Sequence, residues 1–284
     1  MKALFSFLGL SLCLCLFTAS AQVTVEVTVD QDQFLPGETI PVSVHVTNRS
    51  GRMIRLGDGD WLTFYIQSSD GSVVTKKSDP PVAGEFFLDT LEVGTKRVDI
   101  APYFNLSQMG SYRITANVHI KDWNTDIASA PKNFDLIEGA QLWSQTFGVP
   151  DSGALNQPPT VRKYSLIQAN YLKDQLRLYV EVTDDSGSVF KVIAIGSMIS
   201  FSQPEAQLDR LSNLHVLCQG GARSFTYSVI DPNGKIILRD TYDYTGTRPR
   251  LSEDTSGNIV VTGGVRRLKS DELPAVHSPA EVAH

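Results

Sequence analysis

Cysteine is scarce in this chain, and where it falls removes a whole class of architecture. Only Cys13, Cys15 and Cys218 occur in 284 residues. The first two lie in an apolar leader, so the body keeps one thiol and cannot be held by an internal disulfide framework. Cys218 sits in the strand-like run His215-Val216-Leu217-Cys218, with no His–Asp pattern beside it, and reads as a small buried hydrophobe. Long apolar runs are equally rare. Leu4 to Phe17 is the one candidate, and it is too short to span a bilayer comfortably. With Lys2 before it and Ala19-Ser20-Ala21 behind, residues 1–21 read as a signal peptide cleaved ahead of Gln22. An uncleaved anchor is the alternative. Leu12 and Leu14 precede the leader cysteines where a lipoprotein signal requires a small residue, so lipidation is set aside. Beyond the leader no membrane span is expected, which makes the mature chain secreted, periplasmic or displayed at the cell surface.

Charge of one sign is also lacking. The 25 Lys and Arg against 31 Asp and Glu give a net charge of −6, and the signs are mixed along every segment. A nucleic-acid footprint needs clustered cations, and Arg266-Arg267-Leu268-Lys269 is the nearest approach to one. No Gly-x-Ser-x-Gly, His-Glu-x-x-His, Cys-x-x-Cys or phosphate-binding glycine loop occurs. His45 and His119 occupy polar positions of alternating strands. Asp30/Asp32, Asp58/Asp60 and Asp184/Asp185 offer oxygens to calcium, but none has the spacing of an EF-hand loop, and β-turns recruit Asp for local hydrogen bonds. The sequence therefore assigns no catalytic residue, no metal and no cofactor.

What the chain does contain is strand periodicity. Val23, Val25, Val27 and Val29 alternate with Thr24, Glu26 and Thr28, and Ile40 to Val46 repeats the pattern. A period of two with one polar face predicts half-buried strands of antiparallel sheets. Leu35-Pro36-Gly37-Glu38 is a turn, with Pro presetting φ and Gly tolerating the positive φ that follows. Trp61–Gln67, Ser111–Ile120 and Asn133–Ile137 are further strands, and no helical period is present. Residues 22–139 are thus expected to form a β-sandwich. Residues 140–161, rich in Pro and Gly turns, read as a connector, with Leu142 to Phe147 as a short strand within it.

The C-terminal half is duplicated. Leu178–Gly221 and Phe225–Gly264 share strand, turn, strand, loop and strand. Asp184/Gly187 recur as Asp231/Gly234. Pro204, Asp209, Asn213 and Val216 recur as Pro249, Asp254, Asn258 and Val261, a period of about 45 residues. His215 stands where the sister copy has Val260, which argues against a ligand role. Residues 162–268 form this duplicated β-domain, and 269–284, with Pro274 and Pro279, read as a disordered tail. The two units face each other as a second sandwich, lean as adjacent blades on the first domain, or close a ring with a second chain as a homo-oligomer.

Phe34-Leu35-Pro36-Gly37-Glu38, the valines after it and Thr47-Asn48 resemble the opening of bacterial secreted immunoglobulin-like domains of the cell-adhesion and macroglobulin type. The bacillary proteinase-inhibitor fold is similar. Gly110-Ser111-Tyr112-Arg113-Ile114 resembles a tyrosine-corner segment, with Ile114 where an antibody domain carries cysteine. Asp254-Thr255-Ser256-Gly257-Asn258 resembles a hairpin of β-propeller blades. The resemblance implies an all-β chain, an immunoglobulin-like β-sandwich followed by two blade-like repeats, used for spacing, adhesion or presentation and only distantly for protease inhibition. Aromatic residues are the candidates for contact with a protein or glycan partner of the envelope: Trp61, placed with Thr63 and Tyr65 on the polar face of its strand, then Trp123 and Trp143. The expected role is non-enzymatic binding or scaffolding. The alternatives are a carbohydrate-active or hydrolytic accessory enzyme with an interdomain site, or an inhibitor projecting the loop Ser78–Phe87.

Overall fold

The computed structural model describes residues 22–149 and 160–269. The expected leader, the middle of the connector and the tail from 270 lie outside the described residues. Apart from two three-residue 3-10 turns, Ala101–Tyr103 and Lys121–Trp123, every regular element described is a strand. The chain is all-β, as its period-two patterning requires.

The first ten strands are β1 (Val23–Val29), β2 (Gln33–Phe34), β3 (Pro41–Asn48), β4 (Ile54–Leu56), β5 (Leu62–Ser68), β6 (Phe86–Leu88), β7 (Val93–Asp99), β8 (Gly110–Ile120), β9 (Thr125–Ala128) and β10 (Lys132–Leu136). One sheet runs β1-β3-β7 and another β2-β10-β8-β5, with β9 added to β8 and β4 paired with β6. The alternating valines explain the arrangement. Val25 lies opposite Val46 and Val27 opposite Val44, all four buried while Thr24 and Glu26 are exposed. From the other sheet, β8 contributes Tyr112, Ile114, Ala116, Val118 and Ile120 to the same core, which extends from Val23 to Leu136. Full burial of a valine is worth about 1.5–3 kcal/mol. A one-residue slip of β1 would turn its buried valines to water, so the register is strongly held.

The remaining strands are β11 (Ala140–Gly148), β12 (Val161–Leu172), β13 (Gln175–Asp184), β14 (Val189–Ser197), β15 (Glu205–Leu208), β16 (Leu214–Gln219), β17 (Ser224–Ile230), β18 (Ile236–Asp243), β19 (Arg250–Glu253), β20 (Ile259–Thr262) and β21 (Val265–Arg266). They form three sheets in chain order: β11-β12-β13-β14, then β15-β16-β17-β18-β21, then β19-β20. The connector expected at 140–161 is corrected here, because its opening residues are β11, paired with β12 from Ala140↔Gln168 to Gly148↔Val161. As an outer strand β11 buries Phe147 alone. Gln141, Ser144, Gln145 and Thr146 therefore break the alternation by which a half-buried strand is recognised.

These sheets stack in layers; they do not close into a second two-sheet sandwich. All six residues of β16 are buried. Leu214, Val216 and Cys218 pack against Tyr164, Leu166, Leu178 and Val180 of the first sheet. Leu217 points the other way and joins Phe225, Tyr227 and Val229 against Leu251, with Ile259 and Val261 alongside. A strand covered on both faces reads as an unbroken apolar run. Burial also pushes the Cys218 thiol up to about 12, which leaves it inert as a nucleophile.

Related turns close with the same bonds. Asp209 Oδ1 accepts from the amides of Leu211 and Asn213, and its Oδ2 from Asn213 Nδ2 at 2.9 Å. Asp254 receives the corresponding bonds from Ser256, Asn258 and Asn258 Nδ2. Asp184 and Asp231 each bond the amide four residues on, both at 2.8 Å.

The first stacked sheet rests on the N-terminal core through Leu35, Ala169, Tyr179 and Val192. Contact is close at Gly139, where a Cβ would lie 2.2 Å from Ile167 Cγ2. A polar clasp crosses the same seam. Arg177 donates to Gln31 Oε1 at 2.6 Å, Gln31 Nε2 to Glu38 Oε1 at 2.8 Å, and Leu35 N to Glu38 Oε2 at 3.0 Å. The Arg177 guanidinium stacks 3.7 Å above the Tyr171 ring. Burial pushes the Glu38 carboxyl above its ordinary value of 4.5, only partly offset by those bonds and by the Arg177 charge. An acid raised in this way contributes most while protonated: the contribution is complete below the ordinary value and is lost as pH rises through the folded one. Urea unfolding of the parent and of Glu38→Gln between pH 4 and 8 should therefore give a stability difference that shifts against the parent as pH rises. A difference moving the other way would contradict the burial argument.

Candidate binding surface

The four aromatic candidates are not brought together. Trp61 is 2 % exposed, which corrects its placement on a polar strand face. β5 begins only at Leu62, so the alternation does not extend back to Trp61. Its indole N–H donates to Val82 O at 2.8 Å, and its ring meets Phe86 edge-on at 5.3 Å. The segment that covers it is the expected inhibitory loop Ser78–Phe87, itself tied down by buried Val82 and by the Gly84 N to Gly57 O bond. Trp143 is half-buried and packs against the second core. Tyr65, 59 % exposed on β5, borders a depression of about 360 Å³ with Thr63, Val73 and Lys76. Trp123 is the one that faces a larger concavity.

That concavity, about 590 Å³, is lined by Gln22, Val23, Ser50, Arg52, Trp123, Thr125 and Ile127. Three segments distant in sequence build it: the start of β1, the loop after β3, and the turn that leads into β9. Asn124 takes a left-handed conformation with φ of 48°, which ends the Lys121–Trp123 turn and reverses the chain into β9. Asn tolerates that region better than most residues. Trp123 is thereby left half-buried against the first core. Ion pairs hold the same turn from outside, Lys121 with Asp58 and Arg55 with Asp122, and the Lys121 bond and charge keep Asp58 below its usual range.

Asn48 organises the opposite lip. Fully buried, it donates through Nδ2 to Arg52 O at 2.6 Å and Leu88 O at 2.9 Å, and accepts through Oδ1 from Ser50 N and Ser50 Oγ. Gln22 O accepts from Arg49 N at 2.6 Å, joining the first strand to this loop. Sequence reasoning singled out Trp123 here and missed Arg52, Ser50, Gln22 and Thr125. The available signal was Asn48-Arg49-Ser50-Gly51, a run of turn formers directly after a strand.

Two other groupings have the look of chemistry. Half-buried Asp209 and buried His215 and Tyr227 form a chain, with His215 Nδ1 2.7 Å from Tyr227 Oη and Nε2 3.3 Å from Asp209 Oδ2. Burial would raise the Asp209 carboxyl, but the bonds from Asn213 and His215 outweigh it and hold the group below its usual range. The chain lies within the stack, where it satisfies polar groups between sheets. At the interdomain seam a crevice of about 370 Å³ includes Glu38 and Lys77, but both Glu38 oxygens already accept bonds that join the two cores. Among the described residues no cluster of three His, Cys, Asp or Glu side chains is placed to hold a metal ion, and no helix is long and apolar enough to cross a membrane.

No family model matches the chain, and no curated protein matches it. Among solved structures, the sporulation control protein Spo0M from Bacillus subtilis aligns with 63 % of this chain and 91 % of its own, at 10 % identity and a TM-score of 0.31. At that score the likeness carries no argument about fold or activity.

Asn48→Ala removes the donor to the carbonyls of Arg52, Leu88 and Asp89 and should cost about 1–3 kcal/mol, read as a lower urea midpoint. Amide exchange should quicken at residues 50–53 and not in β8. Unchanged exchange in the loop would show that Asn48 does not shape the lip.

Proposed function

We propose that the chain is an exported, non-enzymatic binding protein that engages a glycan or protein partner of the cell envelope through the concavity beside Trp123. The observation that carries this reading is the half-buried indole set among Gln22, Ser50, Arg52 and Thr125. An aromatic face ringed by groups that donate and accept hydrogen bonds suits stacking with oriented polar recognition. Export follows from the leader at residues 1–21, whose removal leaves Gln22 beside the concavity.

The two units supply a scaffold for that surface. We assign residues 22–139 to the immunoglobulin-like sandwiches. Support comes from two sheets around one core and from the Tyr112 hydroxyl, which donates to Gln108 O at 2.6 Å as in a tyrosine corner. We read the C-terminal unit as blade-like repeats. Each copy spans two sheets: β13–β14 finish the first sheet while β15–β16 open the second, and β17–β18 continue the second, which β21 closes, while β19–β20 form the third. A repeat that straddles two layers ties neighbours together along the stack.

An accessory enzyme at the seam finds less support, because Glu38 is committed to docking. An inhibitor finds less as well, because Ser78–Phe87 is folded onto Trp61. Trp123→Ala should lower retention of the protein on an isolated cell-envelope fraction at least about tenfold, the order of effect expected from losing a stacking aromatic, with the urea midpoint close to that of the parent. Retention equal to the parent's would sink the proposal.

A further inference from the structure

We infer that the ligand of the Trp123 concavity is an anionic saccharide whose acidic group is held by Arg52. This rests on the binding reading above and adds the chemical class of the ligand. The charge arrangement around the cavity carries it. No carboxylate is among the seven lining residues, and Arg52 carries the one cationic side chain. The acids that flank Trp123 are directed elsewhere, Asp122 to Arg55 at 3.9 Å and Asp126 to His119 at 3.0 Å. Arg55, three residues beyond Arg52, also has Glu85 at 3.6 Å, and Lys121 is bound to Asp58. Among the described residues neither Arg49 nor Arg52 forms an ion pair with a carboxylate, and of the two it is Arg52 that lines the concavity.

An arginine fork left unpaired beside an indole offers two complementary contacts. The planar guanidinium takes a carboxylate or sulfate through two parallel N–H···O bonds, and the indole takes the apolar face of a sugar ring. Ser50 and Thr125 line the same concavity. The backbone of Arg52 is fixed by Asn48 Nδ2 on its carbonyl and Ser50 Oγ on its amide, so the fork is anchored at its base. A concavity of about 590 Å³ falls within the range of pockets that enclose a small ligand. A protein partner would instead be expected to use a broad patch.

The test is calorimetric titration of the chain beginning at Gln22 with trigalacturonic acid and with its neutral counterpart, galactotriose. In low salt the acidic sugar should bind about tenfold or more tightly than the neutral one, the scale of a charge-assisted pair of bonds. That preference should shrink as salt is raised to physiological strength. Arg52→Gln should cut the preference several-fold, because the acidic sugar loses an ion pair that the neutral one never makes, and Arg52→Lys should restore part of it. Trp123→Ala should weaken both sugars. Equal affinities in the parent, or an Arg52→Gln variant that keeps the preference, would overturn the anionic assignment and leave the binding site standing. Binding of neither sugar would overturn this inference together with the glycan reading, and Trp123-dependent retention on an envelope fraction stripped of glycan would then mark the partner as protein.

Discussion

β16 has no side that water reaches, and the form of the molecule follows from that. Six consecutive buried residues, Leu214 to Gln219, require a sheet on each face, because neither side chain row can be left exposed without losing its hydrophobic stabilisation. The sheet before it covers Val216 and Cys218, and the hairpin after it covers Leu217. The preceding sheet has the same need on its own far side. There Tyr179 and Ala169 meet Leu35, so the N-terminal core acts as the terminal cap of the stack. The two halves of the chain are coupled by packing, and the Gln31–Glu38–Arg177 bonds add direction to a contact that apolar burial alone would leave free to slide.

The proposed binding surface lies away from that stack, where strands end and loops take over. Its shape comes from backbone features: an asparagine that satisfies loop carbonyls, a left-handed residue that reverses the chain, and ion pairs that hold the turn. Binding groups placed on loops over a rigid sheet scaffold are a recurrent arrangement. Glu38, Asp209 and Tyr227, by contrast, are engaged in bonds within the seam and the stack. Their shifted titration reflects burial and pairing, and burial likewise silences the Cys218 thiol.

Much of the first unit was legible from residue order. The valines of β1 and β3 point where their alternation places them, and Tyr112 to Ile120 supply the opposite wall. The duplicated turns at Asp209 and Asp254 were legible too, down to the asparagine that closes each. The failures have specific causes. Trp61 lies just ahead of its strand, and a distant loop crosses over it. β11 is an outer strand whose polar side chains hide the period. Of the concavity, residue order identified the indole but none of its neighbours, which arrive from segments some 30 to 100 positions apart in a chain that folds them onto one end of the sheets.

Alternation and turn chemistry act over a few residues, so strands, their inner faces and their hairpins are written into the order of amino acids. What lies across from a given face depends on contacts between segments far apart. Two successive apolar rows on β16 state that both sides are covered but not by what, and an aromatic beside a strand is equally compatible with core and surface. The layering of the sheets, the burial of Trp61 and the placing of Trp123 and Arg52 around one concavity were decided only when long-range packing chose which loop covers which face.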